Sequence, residues 1–132
     1  MIVSTYAGLL ALIFIALSVN VIIRRYQLRS ALGDADDFEM KRRIRAHANF
    51  AEYTPLFLIL ISLAEYEKLS HSYLHILCTI FLLGRISHAL SVLKLEKYEN
   101  GNLVAYPKFR TIGMVSSFLA IGITALVLIV KG

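Results

Sequence analysis

Cysteine is nearly absent from this sequence: Cys78 is the only one among 132 residues. One cysteine cannot close an intrachain disulfide or build a thiolate metal cage, and no metal site is expected. Its neighbours in HILCTIFLL are apolar, so Cys78 is read as packing rather than as a nucleophile. The long apolar runs hold almost no charge. The chain is 58% hydrophobic, with a mean hydropathy of +0.67, against roughly 45–50% apolar usage in soluble domains. That excludes an ordinary soluble domain. A net charge of +5 raises nucleic acid as a partner, but the basic residues flank oily segments, where anionic lipid headgroups are the more economical partner. No nucleic acid is expected. The first apolar run lacks a basic n-region and a small-residue cleavage site, so it reads as a membrane helix and not as a signal peptide. Repeats and low-complexity tracts are missing as well.

What is present is a set of long apolar blocks. A bilayer crossing takes about 20 apolar residues, and in lipid a helix satisfies all its own backbone groups. The sequence predicts a single domain over residues 1–132, an all-α membrane bundle of four transmembrane helices at about 2–23, 37–64, 73–93 and 111–130. Between the first apolar block, Ile2 to Ile23, and the second, from about Ala46 to Ala64, lie Arg24, Arg25, Arg29, Lys41, Arg42, Arg43 and Arg45, and between the last two lie Lys94, Lys97, Lys108 and Arg110. Lys68 and Lys131 alone stand on the opposite side. This asymmetry predicts that loops 1 and 3 are cytoplasmic. Arg42 and Arg43 are expected to anchor at headgroups, and the turn signal ENGN falls in loop 3.

The second helix is the unusual one. Asp36 followed by Glu39 suggests a cap, so the helix is expected to start before the membrane does. Running to Ala64 it would be about 42 Å long, more than the hydrocarbon thickness. Where it enters lipid the chain reads RAHANFAEYTP. At about 100° per residue, Arg45, Asn49 and Glu52 fall within an arc of roughly 60°, with Tyr53 beside them and His47 on the opposite side. Pro55 removes a backbone donor one turn further on. The third helix carries Arg85 and His88 three residues apart, on one face. Charges at membrane depth cost at least about 2.5 kcal/mol each on insertion scales and belong in a bundle interior or watery cavity.

Two readings of these residues stand side by side. In the structural one, Arg45 and Arg85 pair with Glu52 and tie helices 2 and 3 together, or Arg45 snorkels to the interface. In the functional one, two guanidinium forks bind carboxylates, while a glutamate holds an ammonium and an asparagine serves an amide. That set suits a small zwitterionic peptide with two carboxylates and one amine. Glutathione fits the description, and an amino acid or a headgroup fits nearly as well.

RAHANFAEYTPLFL resembles the helix 2 signature of the membrane-associated proteins in eicosanoid and glutathione metabolism, the microsomal glutathione transferase superfamily, which runs Arg-Ala-x-x-Asn-x-x-Glu-x-x-Pro. GRISHAL resembles that family's helix 3 segment, and FRTIGM its arginine near the reactive thiol. The resemblance extends over nearly the whole chain and implies a glutathione-dependent transferase or peroxidase acting on lipophilic electrophiles. It implies that Arg45, Asn49, Glu52, Tyr53, Arg85 and His88 hold glutathione, the co-substrate, and that Arg110 stabilises its thiolate. It also implies a homotrimer with each site between adjacent subunits. The other reading of the same fold is a non-catalytic membrane protein that binds a lipid, a small thiol or a protein partner. Val92, Ala48 and a longer loop 3 depart from the eicosanoid enzymes, so leukotriene or prostaglandin synthesis is not expected. The GDADD loop and compact length resemble a bacterial member, which implies the bacterial inner membrane, or the endoplasmic reticulum membrane for a eukaryotic one.

Overall fold

The computed structural model describes residues 1–131. Helix α1 spans Ile2–Leu28, α2 Phe38–Tyr66, α3 His71–Leu90 and α4 Lys108–Lys131. A π-helical turn, Ser91–Leu95, extends α3, and a short hairpin of β1 (Lys97–Glu99) and β2 (Asn102–Ala105) leads to α4. The architecture is an all-α membrane bundle. Helices α1, α3 with its π turn, and α4 are long and apolar enough to cross a bilayer. Helix α2 runs 29 residues beside them. Its first half, FEMKRRIRAHANFAEY, makes it the polar member of the set.

The helices outrun their apolar runs because hydrogen-bonded backbone continues through the interface to the nearest cap. Helix α1 ends where Arg29 turns left-handed at φ 51°. The start of α2 differs from expectation: the cap is Asp37, not Asp36. The Asp37 side chain accepts from Met40 N at 2.7 Å, and Arg24 grips the same carboxylate at 2.9 and 2.6 Å. Asp36 instead sits at φ 53°, outside the helix. Helix α4 starts early, with Pro107 supplying the carbonyl that Thr111 N reaches at 3.0 Å.

Loop 3 turns at Asn100 and Gly101, both at positive φ (49° and 80°), the backbone a type I′ hairpin needs. Tyr98 pairs with Leu103 and Glu99 with Asn102.

Lipid tails are as apolar as leucine, so helices in a bilayer associate through close packing and interhelical hydrogen bonds. Both are visible here. At the crossing of α3 and α4, a methyl group on Gly113 would lie 2.5 Å from the Gly84 carbonyl oxygen and 2.8 Å from His88 N. Only two glycines allow that approach. Nearer the other end, Phe57 of α2 stacks on Phe81 of α3, ring centroids 3.9 Å apart and planes 9° apart. Ile61, Leu74, Leu77 and Ala120 complete this core. Cys78 is buried within it, and His47 binds Ser18 of α1 at 3.0 Å, away from the polar face. Leu12, Ile15, Ile59, Leu126 and Ile129 point outward.

Candidate functional site

The close α3–α4 crossing sets the site. It brings Arg85, 1% exposed, against α2 and α4 at once. Arg85 Nε donates to Ser117 Oγ at 2.8 Å. Nη1 donates to Asn49 Oδ1 at 2.8 Å and reaches the Asn49 carbonyl at 3.5 Å. Nη2 donates to the Gly113 carbonyl at 3.2 Å and meets Met114 Sδ at 3.5 Å. All five guanidinium donors are thereby engaged. The cation also lies over the Tyr53 and Phe81 rings, 5.3 and 5.7 Å from their centroids. Among the described residues its partners are uncharged, so the expected pairing of Arg85 with Glu52 does not occur.

Glu52 is taken by Arg45, two turns away on the same helix, at 3.3 Å. Both are about half exposed (Arg45 52%, Glu52 48%), whereas Asn49 is 3% exposed. The 60° arc explains the division. Asn49 lies about 40° to one side of Arg45 and Glu52 about 20° to the other, so one edge of the stripe turns to α3 while the other faces out.

His88, 2% exposed, backs onto Gly113. Arg85, Arg110 and Arg45 all lie close enough for their charges to act on its ring. The structure therefore gathers the residues singled out in the sequence around one α2–α3–α4 junction, with Arg85, Asn49 and His88 inside and Arg45 and Glu52 outside. Tyr53, under the Arg85 guanidinium, also meets Phe118 edge-on at 5.5 Å.

Arg110 sits at the start of α4, and its Nη1 lies 3.7 Å from Glu96 Oε2. Glu96 follows the π turn, and its side chain is fully buried. Ser91 Oγ donates to its Oε1 at 3.1 Å and Tyr98 donates to its Oε2. Burial and then the bond to Glu96 push the Tyr98 phenol above its ordinary pKa, which keeps it a donor. Arg42, assigned to headgroups from the sequence, is instead an internal clamp. It donates to the Val92 carbonyl at 2.7 Å and the Glu96 carbonyl at 3.3 Å and lies over the Tyr98 ring. Arg43 also turns inward, to the Asn20 carbonyl at 2.9 Å and to Glu39. For Arg42 the pull is burial: Val92 and Glu96 are buried, and their carbonyls gain a charged donor there that headgroups would otherwise take.

Sequence reasoning missed Glu96, Tyr98, Ser91 and Ser117. Gly113 and Ser117, four apart, carried a signal as a small-xxx-small pair. Glu96 carried none, because the π turn breaks the helical period that would place it beside Ser91. Among the described residues, no three His, Cys, Asp or Glu side chains gather to hold a metal ion.

A family model described as the MAPEG family matches residues 3–130. This chain belongs to the MAPEG family. The matched region takes in all but the end residues Ile2 and Lys131 of the four helices, and every residue of the junction. Two relatives are each described as "Inner membrane protein YecN", one from Escherichia coli strain K12 and one from E. coli O6:H1 strain CFT073. Each is 34% identical over 88 residues, 67% of either chain. With three apolar spanning helices, this MAPEG member is an integral membrane protein.

Proposed function

We propose that this MAPEG protein is a glutathione-dependent transferase or peroxidase that works on lipophilic electrophiles or hydroperoxides within the membrane. The observation that carries the reading is the half-exposed Arg45–Glu52 pair. It lies on a helix set among three spans, with its charges turned outward where lipid would be costly. A zwitterion that exchanges its own carboxylate and ammonium for the two partners resolves that cost. A second copy of the chain would cover it, so the site is assigned to a homotrimer interface. Arg110 would favour the thiolate, which is only a few per cent populated in a thiol of pKa about 8.5 at neutral pH. The thiolate then attacks an electrophilic carbon or a peroxide oxygen. At carbon it forms a thioether as a leaving group departs or a double bond takes up the electron pair and a proton. At a peroxide it breaks the O–O bond to give an alcohol and a sulfenic acid, which a second glutathione converts to disulfide and water. The protein contributes orientation and charge stabilisation. The relatives' description supports the bacterial inner membrane, with loops 1 and 3 in the cytoplasm on the count of basic residues.

One observation favours the non-catalytic reading: Arg110 already has a counter-ion in Glu96. Calorimetry of reduced glutathione against the protein in detergent tests the first point. Saturable heat that Glu52→Ala and Arg45→Ala abolish while the protein stays folded supports the glutathione site. No heat at millimolar glutathione, or normal binding in both variants, refutes the assignment. Thiolate absorbance at about 240 nm that disappears in Arg110→Ala separates an enzyme from a binder.

A further inference from the structure

The reading above leaves unused the buried carboxylate that pairs with Arg110. Glu96 has no exposed side-chain surface, yet it is not a simple ion pair. In an uninterrupted α-helix, side chains five apart lie about 140° from one another. The π turn, closed by Glu96 N on the Ser91 carbonyl at 3.0 Å, instead returns Glu96 to the Ser91 hydroxyl. Three groups from three elements converge on it: Ser91 from the turn, Tyr98 from β1 and Arg110 from α4. Arg42 of α2 holds its main chain, and Phe38 packs on Tyr98 at 5.0 Å. Such a π turn beside a site is a recurrent functional device. Arg110 is held on one side only. Its side chain stays 36% exposed, which leaves donors for a ligand.

We propose that Glu96 is the positioning residue for Arg110, fixing the guanidinium at the mouth of the site and offsetting part of its charge. The inference rests on the glutathione reading and adds to it that thiolate formation is governed by the Glu96–Arg110 pair. The charged and titratable groups around the pair are Arg42 from α2, His88 from α3, Tyr98 from β1, and Arg45 and Arg85 beyond His88.

The test is a pH titration of bound glutathione in the full chain, followed by thiolate absorbance at about 240 nm. Glu96→Gln keeps one acceptor oxygen, presents an amide N–H that the other hydroxyl can accept, and removes the negative charge. Its bound thiol should titrate lower, with roughly three- to tenfold more thiolate per thiol below the midpoint. Glu96→Ala removes the anchor as well, so Arg110 swings away and the bound thiol titrates towards its free value, while calorimetric binding persists. Opposite shifts in the two variants are the expected result. A Gln variant that titrates like the unaltered protein, or two variants that shift the same way, overturns the proposal even where glutathione binds. A folding failure of Glu96→Ala leaves the Gln titration decisive. An unaltered protein that binds no glutathione removes the proposed function and this inference together.

Discussion

The two edges of the α2 stripe, one turned into the bundle and one turned out of it, differ more than their spacing suggests. Asn49 and Arg45 are one helical turn apart, yet Asn49 is sealed against Arg85 and Arg45 stands half in the open. On the inner edge every donor of Arg85 has an acceptor from α2 or α4. On the outer edge, among the described residues, two opposite charges have each other at 3.3 Å and no other ion-pair partner. The inner edge is therefore built as architecture: it locks three helices and holds His88 and Tyr53 in place. On the proposed function the outer edge is the one that exchanges partners, because a half-exposed pair contributes at most about 1 kcal/mol to stability.

The largest effect should come from the inner edge. Arg85→Ala leaves Asn49 Oδ1 without its donor, leaves the Gly113 carbonyl with Ser117 Oγ alone of its two side-chain donors, and opens a void at the junction, at a cost of about 2–4 kcal/mol. Thermal unfolding in detergent should show it even without a ligand. An Arg85→Ala protein as stable as the unaltered one would mean that the guanidinium belongs to the ligand. Gly113→Ala comes next. Its methyl would lie 2.5 Å from the Gly84 carbonyl, so α3 and α4 must separate at a cost of about 1–3 kcal/mol. Any separation also moves Arg110, one turn away, so glutathione-dependent turnover should fall further than stability does.

Much of this was legible in the sequence. Apolar run length marked the four helices, since spanning a bilayer imposes length and self-satisfaction together. The spacing also marked residues that pair, Arg45 with Glu52 and, across helices, Arg85 with Asn49. Which of them face inward was not legible, because a 60° arc does not say which edge meets a neighbour. Loop 3 was least legible. Asn100-Gly101 marked a turn, but the π turn shifts register at Ser91 and hides the convergence on Glu96. Arg42 was misassigned for a related reason: its acceptors are main-chain carbonyls of Val92 and Glu96, which no side-chain pattern reveals.

The outer edge should behave oppositely to Arg85. Arg45→Ala and Glu52→Ala are expected to change stability by less than about 1 kcal/mol while abolishing glutathione binding. A large stability loss in either would assign the pair to architecture and erase the contrast between the edges.

The smallest effect lies outside the membrane, at the cap of α2. The bidentate Arg24 contact holds the Asp37 carboxyl below the usual aspartate range. A depressed folded-state pKa means that the carboxylate's contribution is present above the unfolded value and is lost as pH falls through the folded one. The melting temperature should therefore drop below about pH 4. Asp37→Asn can still cap Met40 but cannot pair with Arg24, so it should start lower at neutral pH and lose less on acidification. If the variant and the unaltered protein lose the same amount, the acid sensitivity comes from another carboxylate.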